Sequence, residues 1–252
     1  MFRQNHPLKA LLAAFCIKLA FAPGLPVYAQ VQPEAPTSIN TRSLTGGVNF
    51  VPPADDGAPE YTAGGASRGR CPGEVAYATP LTRNSHYGLT ASTRPSIFLH
   101  IPQTTVQEVF FSLKDEDNNH LFQTRFAIPS NSGVVRFDLP DTAPELSPDT
   151  EYKWSFVLLC NNRLRPDSPR IEGWVQFKQD PNLMEQAAAM DFLERAILYG
   201  EQGIWFDTLT ALAELRQLQT QEPTTWTEFL ESAGLTAIAT EPLVGAATPL
   251  GN

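Results

Sequence analysis

The chain has 252 residues, 42% of them hydrophobic and 18% charged, with 22 Pro, 16 Gly, 3 Cys and a formal charge of −9. That length can bury a real core as one large domain or two small ones, and Pro plus Gly stay below the ~25–30% that marks disorder throughout. The acidic balance excludes the basic face that a phosphate backbone requires, so nucleic acid is not an expected partner.

Residues 1–29 have the layout of an export signal. Arg3 and Lys9 precede an apolar stretch from Ala10 through Ala22, and Val27-Tyr28-Ala29 puts small residues one and three places before a cut after Ala29. Lys18 splits the apolar stretch, and a bilayer-spanning helix needs ~20 uninterrupted apolar residues. Pro23, Gly24 and Pro26 argue against a buried N-terminal helix, and Cys16 lies inside the apolar run without a lipobox. Cleavage would remove Arg3, Lys9 and Lys18 and leave a mature chain at −12. The expected address is the periplasm or the extracellular space, with no integral membrane segment after cleavage.

Cys16 would leave with the signal, so Cys71 and Cys160 remain. Two cysteines in an oxidising compartment have one possible pairing, closing a loop that contributes up to ~4–5 kcal/mol in the chain-entropy model. The alternatives are two free thiols or two metal ligands, and no His stands at zinc spacing beside them.

Residues 30–70 are rich in Pro, Gly, Ala, Ser and Thr, with Gly46-Gly47, Pro52-Pro53 and Gly64-Gly65 as landmarks. Few apolar residues recur, so a flexible, disordered linker is expected. Arg68-Gly69-Arg70 at its end could touch anionic envelope polymers or be ordinary solvated charge.

From 71 to 178 the pattern is β-rich with a period of two. Strands are expected at 75–81, 96–101, 107–113, 120–128, 134–139, 152–160 and 170–177, and Asp115-Glu116-Asp117-Asn118-Asn119 makes a polar hairpin turn. Seven short strands joined by turns argue for an antiparallel sandwich. Leu146 through Tyr152, running into an alternating strand, resembles the tyrosine corner of immunoglobulin-like folds, with Tyr152 bonding back to the preceding turn.

After Pro181 the period becomes helical. Asp180 can cap a helix carrying Leu183, Ala187, Met190 and Ile197; a second is expected from Asp207; a third opens at Thr225 with Glu228 as a capping box and stops at Gly234. Ala196 through Pro223 looks like one tetratricopeptide repeat, which cannot bury its face alone. The expected fold class is therefore α+β: an immunoglobulin-like antiparallel β-sandwich at 71–178, followed by a three-helix tetratricopeptide-like segment at 179–236 packed on it. Residues 237–252 read as a flexible tail.

Chemistry-bearing patterns are sparse. Asp115 through His120 begins like a calcium loop, but its sixth and twelfth positions are His120 and Phe126 where a calcium loop needs Gly and a bidentate acid. The mature histidines His86, His100 and His120 have no metal spacing, and neither a nucleophile elbow nor a phosphate loop occurs. Glu145 with Asp149 is a candidate carboxylate pair, and Trp154, Trp174, Trp205 and Trp226 are candidates for a sugar-binding face, although at these spacings aromatics more often build core. No catalytic residue, cofactor or metal is expected.

Several motifs occur in the order of a cyanobacterial family, domain of unknown function number 928, which this chain resembles. They include Cys71-Pro72, Leu99-His100-Ile101-Pro102, Tyr152-x-Trp154 with Cys160, Glu172-Gly173-Trp174-Val175, and Gly203-Ile204-Trp205-Phe206-Asp207 through Leu215. The resemblance implies an envelope or secretion role and carries over no site residue. The expected function is a non-enzymatic protein-binding or scaffold module whose partner is another envelope or secreted protein. The alternatives are a carbohydrate-binding or carbohydrate-hydrolysing module and a structural component of surface layers or appendages.

Overall fold

The computed structural model describes residues 47–53, 71, 77–218 and 224–250, all within the compact unit Leu44–Asn252. The expected export signal, the Arg68-Gly69-Arg70 pinch and most of the expected linker lie outside these residues.

Ten strands form two sheets. The strands are β1 (Thr79–Pro80), β2 (Tyr87–Thr90), β3 (Ser96–Ile101), β4 (Glu108–Lys114), β5 (His120–Ala127), β6 (Gly133–Asp138), β7 (Glu151–Leu158), β8 (Arg170–Phe177), β9 (Leu243–Ala246) and β10 (Thr248–Leu250). One sheet has the order β1-β3-β6-β9 and the other β10-β5-β4-β7-β8-β2. β2 runs parallel to β8, pairing Tyr87 with Trp174 and Thr90 with Phe177. Four helices follow β8: α1 (Pro181–Ala188), α2 (Phe192–Glu201), α3 (Trp205–Leu218) and α4 (Thr224–Ser232). The class is thus mixed α and β.

Alternation along the strands explains how the layers stack. On β4, β7 and β8 the residues Val109, Phe111, Leu113, Trp154, Phe156, Ile171 and Val175 are all buried and share one face. They meet Phe137 of the other sheet, whose ring lies 4.5 Å from Phe156 and 5.5 Å from Phe126, centroid to centroid. Gly173 faces Trp154, and a Cβ there would stand 2.1 Å from the indole Cζ2. Only glycine leaves room for the ring. The Tyr152 hydroxyl accepts the Ser147 backbone N–H at 3.0 Å and ties the start of β7 to the turn before it.

The four-stranded sheet is covered on its second face as well. Phe98, on the opposite side of β3 from Ile97, meets Trp226 of α4 edge-on at 6.3 Å, and Arg136 of β6 reaches Glu214 of α3. Trp205 at the start of α3 donates its indole N–H to the Leu81 carbonyl at 2.9 Å. Gly88 lets this end of α3 lie close to β2, since a Cβ there would sit 2.9 Å from Phe206 Cε2.

Five expectations need correction. The sheets are not purely antiparallel, because β2 and β9 arrive by long connections and join β8 and β6 in parallel. The single first helix is two, because Asp191 restarts the helix: its carboxylate accepts the Glu194 N–H at 2.9 Å while Glu194 bonds back to the Asp191 N–H at 3.2 Å. The second helix starts at Trp205, not Asp207. The tail expected to be flexible instead pairs with both sheets: β9 lies parallel to β6 and β10 antiparallel to β5, filling edges that would otherwise leave ladder groups unpaired. Within the span expected as a disordered linker, residues 47–53 are placed against α2, with Val48 buried and the Val51 N–H donating to the Gly200 carbonyl at 3.0 Å.

Candidate functional site

Helices cover the outer face of the four-stranded sheet, and the outer face of the six-stranded sheet carries a groove of about 350 Å³. Three cross-strand rows run through it, their end residues Trp174 and Arg125 lying just outside its lining. The first is His120, Lys114, Lys153 and Trp174; the second Gln123, Ser112, Ser155 and Glu172; the third Arg125, Phe110, Val157 and Arg170. Leu164, 52% exposed in the loop after β7, forms a rim.

The first row contains a local conflict. Lys114 and Lys153 stand directly opposite each other, and like charges in that position destabilise a strand pair. Glu172 relieves part of it, with its carboxylate 3.2 Å from Lys153 Nζ and 3.7 Å from Arg170 Nη1. Among the described residues no salt bridge neutralises Lys114. Lys153 and Arg170 thus share one carboxylate, and Lys114 adds a third cation to the groove, on a chain whose formal charge is −9. Lys153 also lies 5.9 Å above the Trp174 ring.

The floor is hydroxyl and amide. His120 Nδ1 accepts from the Gln123 side-chain amide at 2.9 Å and lies 3.1 Å from the Ser112 hydroxyl. An Nδ1 that accepts leaves the proton on Nε2, so the neutral ring still offers a donor. Lysine ammoniums, hydroxyls and an imidazole N–H together suit an anion carried on a flexible chain, such as a carboxylate.

A second cleft, of about 500 Å³, lies between the four-stranded sheet and α3, lined by Arg94, Arg136, Asp138, Asp141, Asp207 and Thr210 among others. Its cations are engaged within the protein. Arg136 binds Ser96 at 3.1 Å, Asp138 at 2.6 Å and also Glu214, and Arg94 binds Glu145 at 2.9 Å and the Ala143 carbonyl at 3.2 Å. This network fastens the helices to the sheet.

Asp207 in the same cleft accepts the Thr90 hydroxyl and the Ala91 N–H, both at 2.8 Å. Burial raises its pKa above the ordinary aspartate value of 3.8, outweighing the two hydrogen bonds that favour the anion. A raised folded-state pKa means that the folded protein binds this proton more tightly than the unfolded one. Stability from this group therefore grows as pH falls through the folded pKa and is complete below the unfolded one. Asp207→Asn keeps an acceptor oxygen and removes the charge. Its stability relative to the parent should be greatest at pH 7 and decline toward about pH 4, read from paired denaturant titrations. A difference independent of pH would contradict the raised pKa.

The other candidates are scattered. Asp115 closes the β4–β5 turn, accepting from the Asn119 backbone at 2.8 Å and its side-chain amide at 3.0 Å, and the Asn119 amide lowers its pKa. Glu145 and Asp149 are held by separate cations, Arg94 and Lys178, so the structure does not join them into a pair. His86 bonds Thr82 at 3.0 Å, and His100 faces Glu241 at 3.5 Å. Burial lowers the pKa of both, and at His100 the Glu241 carboxylate opposes that shift. Trp154, Trp205 and Trp226 are fully buried, whereas Trp174 is half-buried at the margin of the groove. The Cys71 and Cys160 sulfurs form a disulfide, with their Cα atoms 5.6 Å apart. Among the described residues no helix is long and apolar enough to cross a membrane, and no group of three His, Cys, Asp or Glu is placed to hold a metal ion.

The sequence model of one family, described as Domain of Unknown Function (DUF928), matches residues 63–243. No curated protein matches the chain.

Proposed function

The chain belongs to the DUF928 family, and from that premise we propose that it is a non-enzymatic binding module, exported to the periplasm or beyond, whose sheet-face groove takes an acidic segment of another envelope or secreted protein. The observation that carries this reading is the in-register opposition of Lys114 and Lys153 on the open sheet face. A like-charge pair kept against the interest of folding fits a surface arranged for an anionic ligand. The Cys71–Cys160 disulfide supports an oxidising address. The signal-like layout of residues 1–29 in the sequence supports it independently.

We read the two sheets as an immunoglobulin-like sandwich. Supporting this are the Tyr152-to-Ser147 bond at the corner entering β7 and the split of the first strands, β1 to one sheet and β2 to the other. The α2–α3 pair, joined by a turn through Gly203, we read as tetratricopeptide-like. A second reading, an anionic polysaccharide as ligand, is favoured by Trp174, the tryptophan that is not fully buried, with Lys153 above its ring.

Titration calorimetry of the full chain with a Glu-rich peptide and with polygalacturonate tests both readings. Lys114→Gln should weaken peptide binding at least ~tenfold, with a shallower salt dependence, while raising stability by ~0.2–1 kcal/mol through relief of the opposed charges. Polygalacturonate bound in preference to the peptide would select the second reading. No binding of either, or binding indifferent to Lys114, would overturn both.

A further inference from the structure

Residues 47–53 lie on the helices as a peptide lies in a receptor groove. Their exposure alternates: Val48 is buried, Asn49 exposed, Phe50 half-buried and Val51 46% exposed. An extended chain turns every second side chain the same way, and Val48 and Phe50 are the two turned inward. The Phe50 ring meets Trp205 edge-on at 5.0 Å, with the Arg83 guanidinium 5.4 Å from its centroid on another side. The backbone is tied by the Val51 N–H, donating to the Gly200 carbonyl at 3.0 Å.

The floor of this groove is glycine where the segment crosses it. A Cβ at Gly200 would stand 2.6 Å from the Asn49 carbonyl oxygen, and one at Gly203 would stand 2.9 Å from the Val51 carbonyl oxygen and from Pro53 Cδ. Gly203 also has φ +71°, which strains any other residue. Two glycines that admit a backbone, an aromatic pocket and one ladder-type bond are the elements by which extended peptides are recognised.

We propose that the face formed by the end of α2 and the start of α3 is a peptide-docking groove whose resident is the chain's own segment 47–53. The same groove takes, in exchange, a partner segment with an aliphatic residue, any residue, an aromatic, and proline three positions further on. This site is separate from the sheet-face groove and stands whether or not that groove binds acidic ligands. Its chemistry is apolar and steric, and the resident itself displays the pattern: Val48, Asn49, Phe50 and, against Gly203, Pro53.

The test uses the full chain carrying Val48→Asp and Phe50→Ala, which displace the resident from within. Fluorescence anisotropy follows a labelled peptide copying residues 45–55. The variant should bind it, and the parent at least ~tenfold more weakly, because its own segment competes. Adding Gly200→Ala to the variant should cost a further ~tenfold. A variant that keeps a cooperative thermal transition yet binds no peptide overturns the proposal, as does equal binding of a peptide with both apolar positions made polar. If the variant does not fold, hydrogen exchange on the unaltered chain decides. A Val51 amide exchanging at least ~100-fold faster than the amides of β4 and β7 supports a releasable resident, and equal protection overturns it. A parent that forms a concentration-dependent dimer abolished by the two substitutions would make a second copy the occupant and overturn the partner assignment.

Discussion

Replacing Cys71 and Cys160 together by alanine should lower the unfolding free energy by about 2–4 kcal/mol, seen as a lower denaturant midpoint. The bridge joins residues 89 apart in sequence, and closing a loop of that length removes much of the freedom of the unfolded chain. Its anchors are favourable for that constraint. Cys160 stands two residues after the central strand β7 and Cys71 is likewise buried, so the bond ties the chain ahead of β1 to the end of a central strand. Alanine at both positions avoids burying a new hydroxyl, which would add its own cost. The same loss should appear when the unaltered protein is reduced without denaturant and then titrated. A loss below about 1 kcal/mol would mean that the unfolded chain is already restrained in this region.

The long strands were legible because their faces differ. Val109, Phe111 and Leu113 alternate with Phe110, Ser112 and Lys114, and the turn at Asp115–Asn119 fixes the pairing with β5. β2, β9 and β10 were not legible, since strands of three or four residues show no period and each exists only because a longer strand offers it an edge. Gly245, with φ +115° inside β9, reads in sequence as a breaker. The helix boundary at Asp191 could have been found, for Asp191 and Glu194 have the spacing of a capping box. Val48, Phe50 and Val51 are a few apolar residues in a Pro- and Gly-rich stretch, and no local rule shows that two glycines some 150 positions later leave room for them.

The sheet-face groove was hidden for a different reason. Lys114, Lys153 and Arg170 come from three strands, and only the register β4–β7–β8 makes them neighbours. Each alone looks like the solvated half of an alternating strand. His120 was visible as a residue outside any metal spacing, but its role depends on Ser112 and Gln123, which share its side of the sheet. Parity assigns a residue to a face, and pairing decides what stands next to it.

Phe137→Ala should be among the most damaging single substitutions in the protein, costing about 3–5 kcal/mol. Phe137 is 1% exposed and comes from the four-stranded sheet, while Phe126 and Phe156, its ring neighbours, come from the six-stranded one. Removing the ring therefore opens a cavity between the layers, where neither sheet can collapse without disturbing its own ladder. It also forfeits two aromatic pairs worth ~0.5–1.5 kcal/mol each beyond their buried area. A domain of this size has about 5–15 kcal/mol in total, so the variant should unfold at a much lower denaturant concentration. Phe110→Ala is the matched control: the same ring is deleted, but from the outer face, where Phe110 is half-buried and solvent can fill the space. If the two variants lose comparable stability, the sheets are not held together by the aromatic layer around Phe137. The helices fastened through Arg136 and Trp226 would then be the main support of the four-stranded sheet.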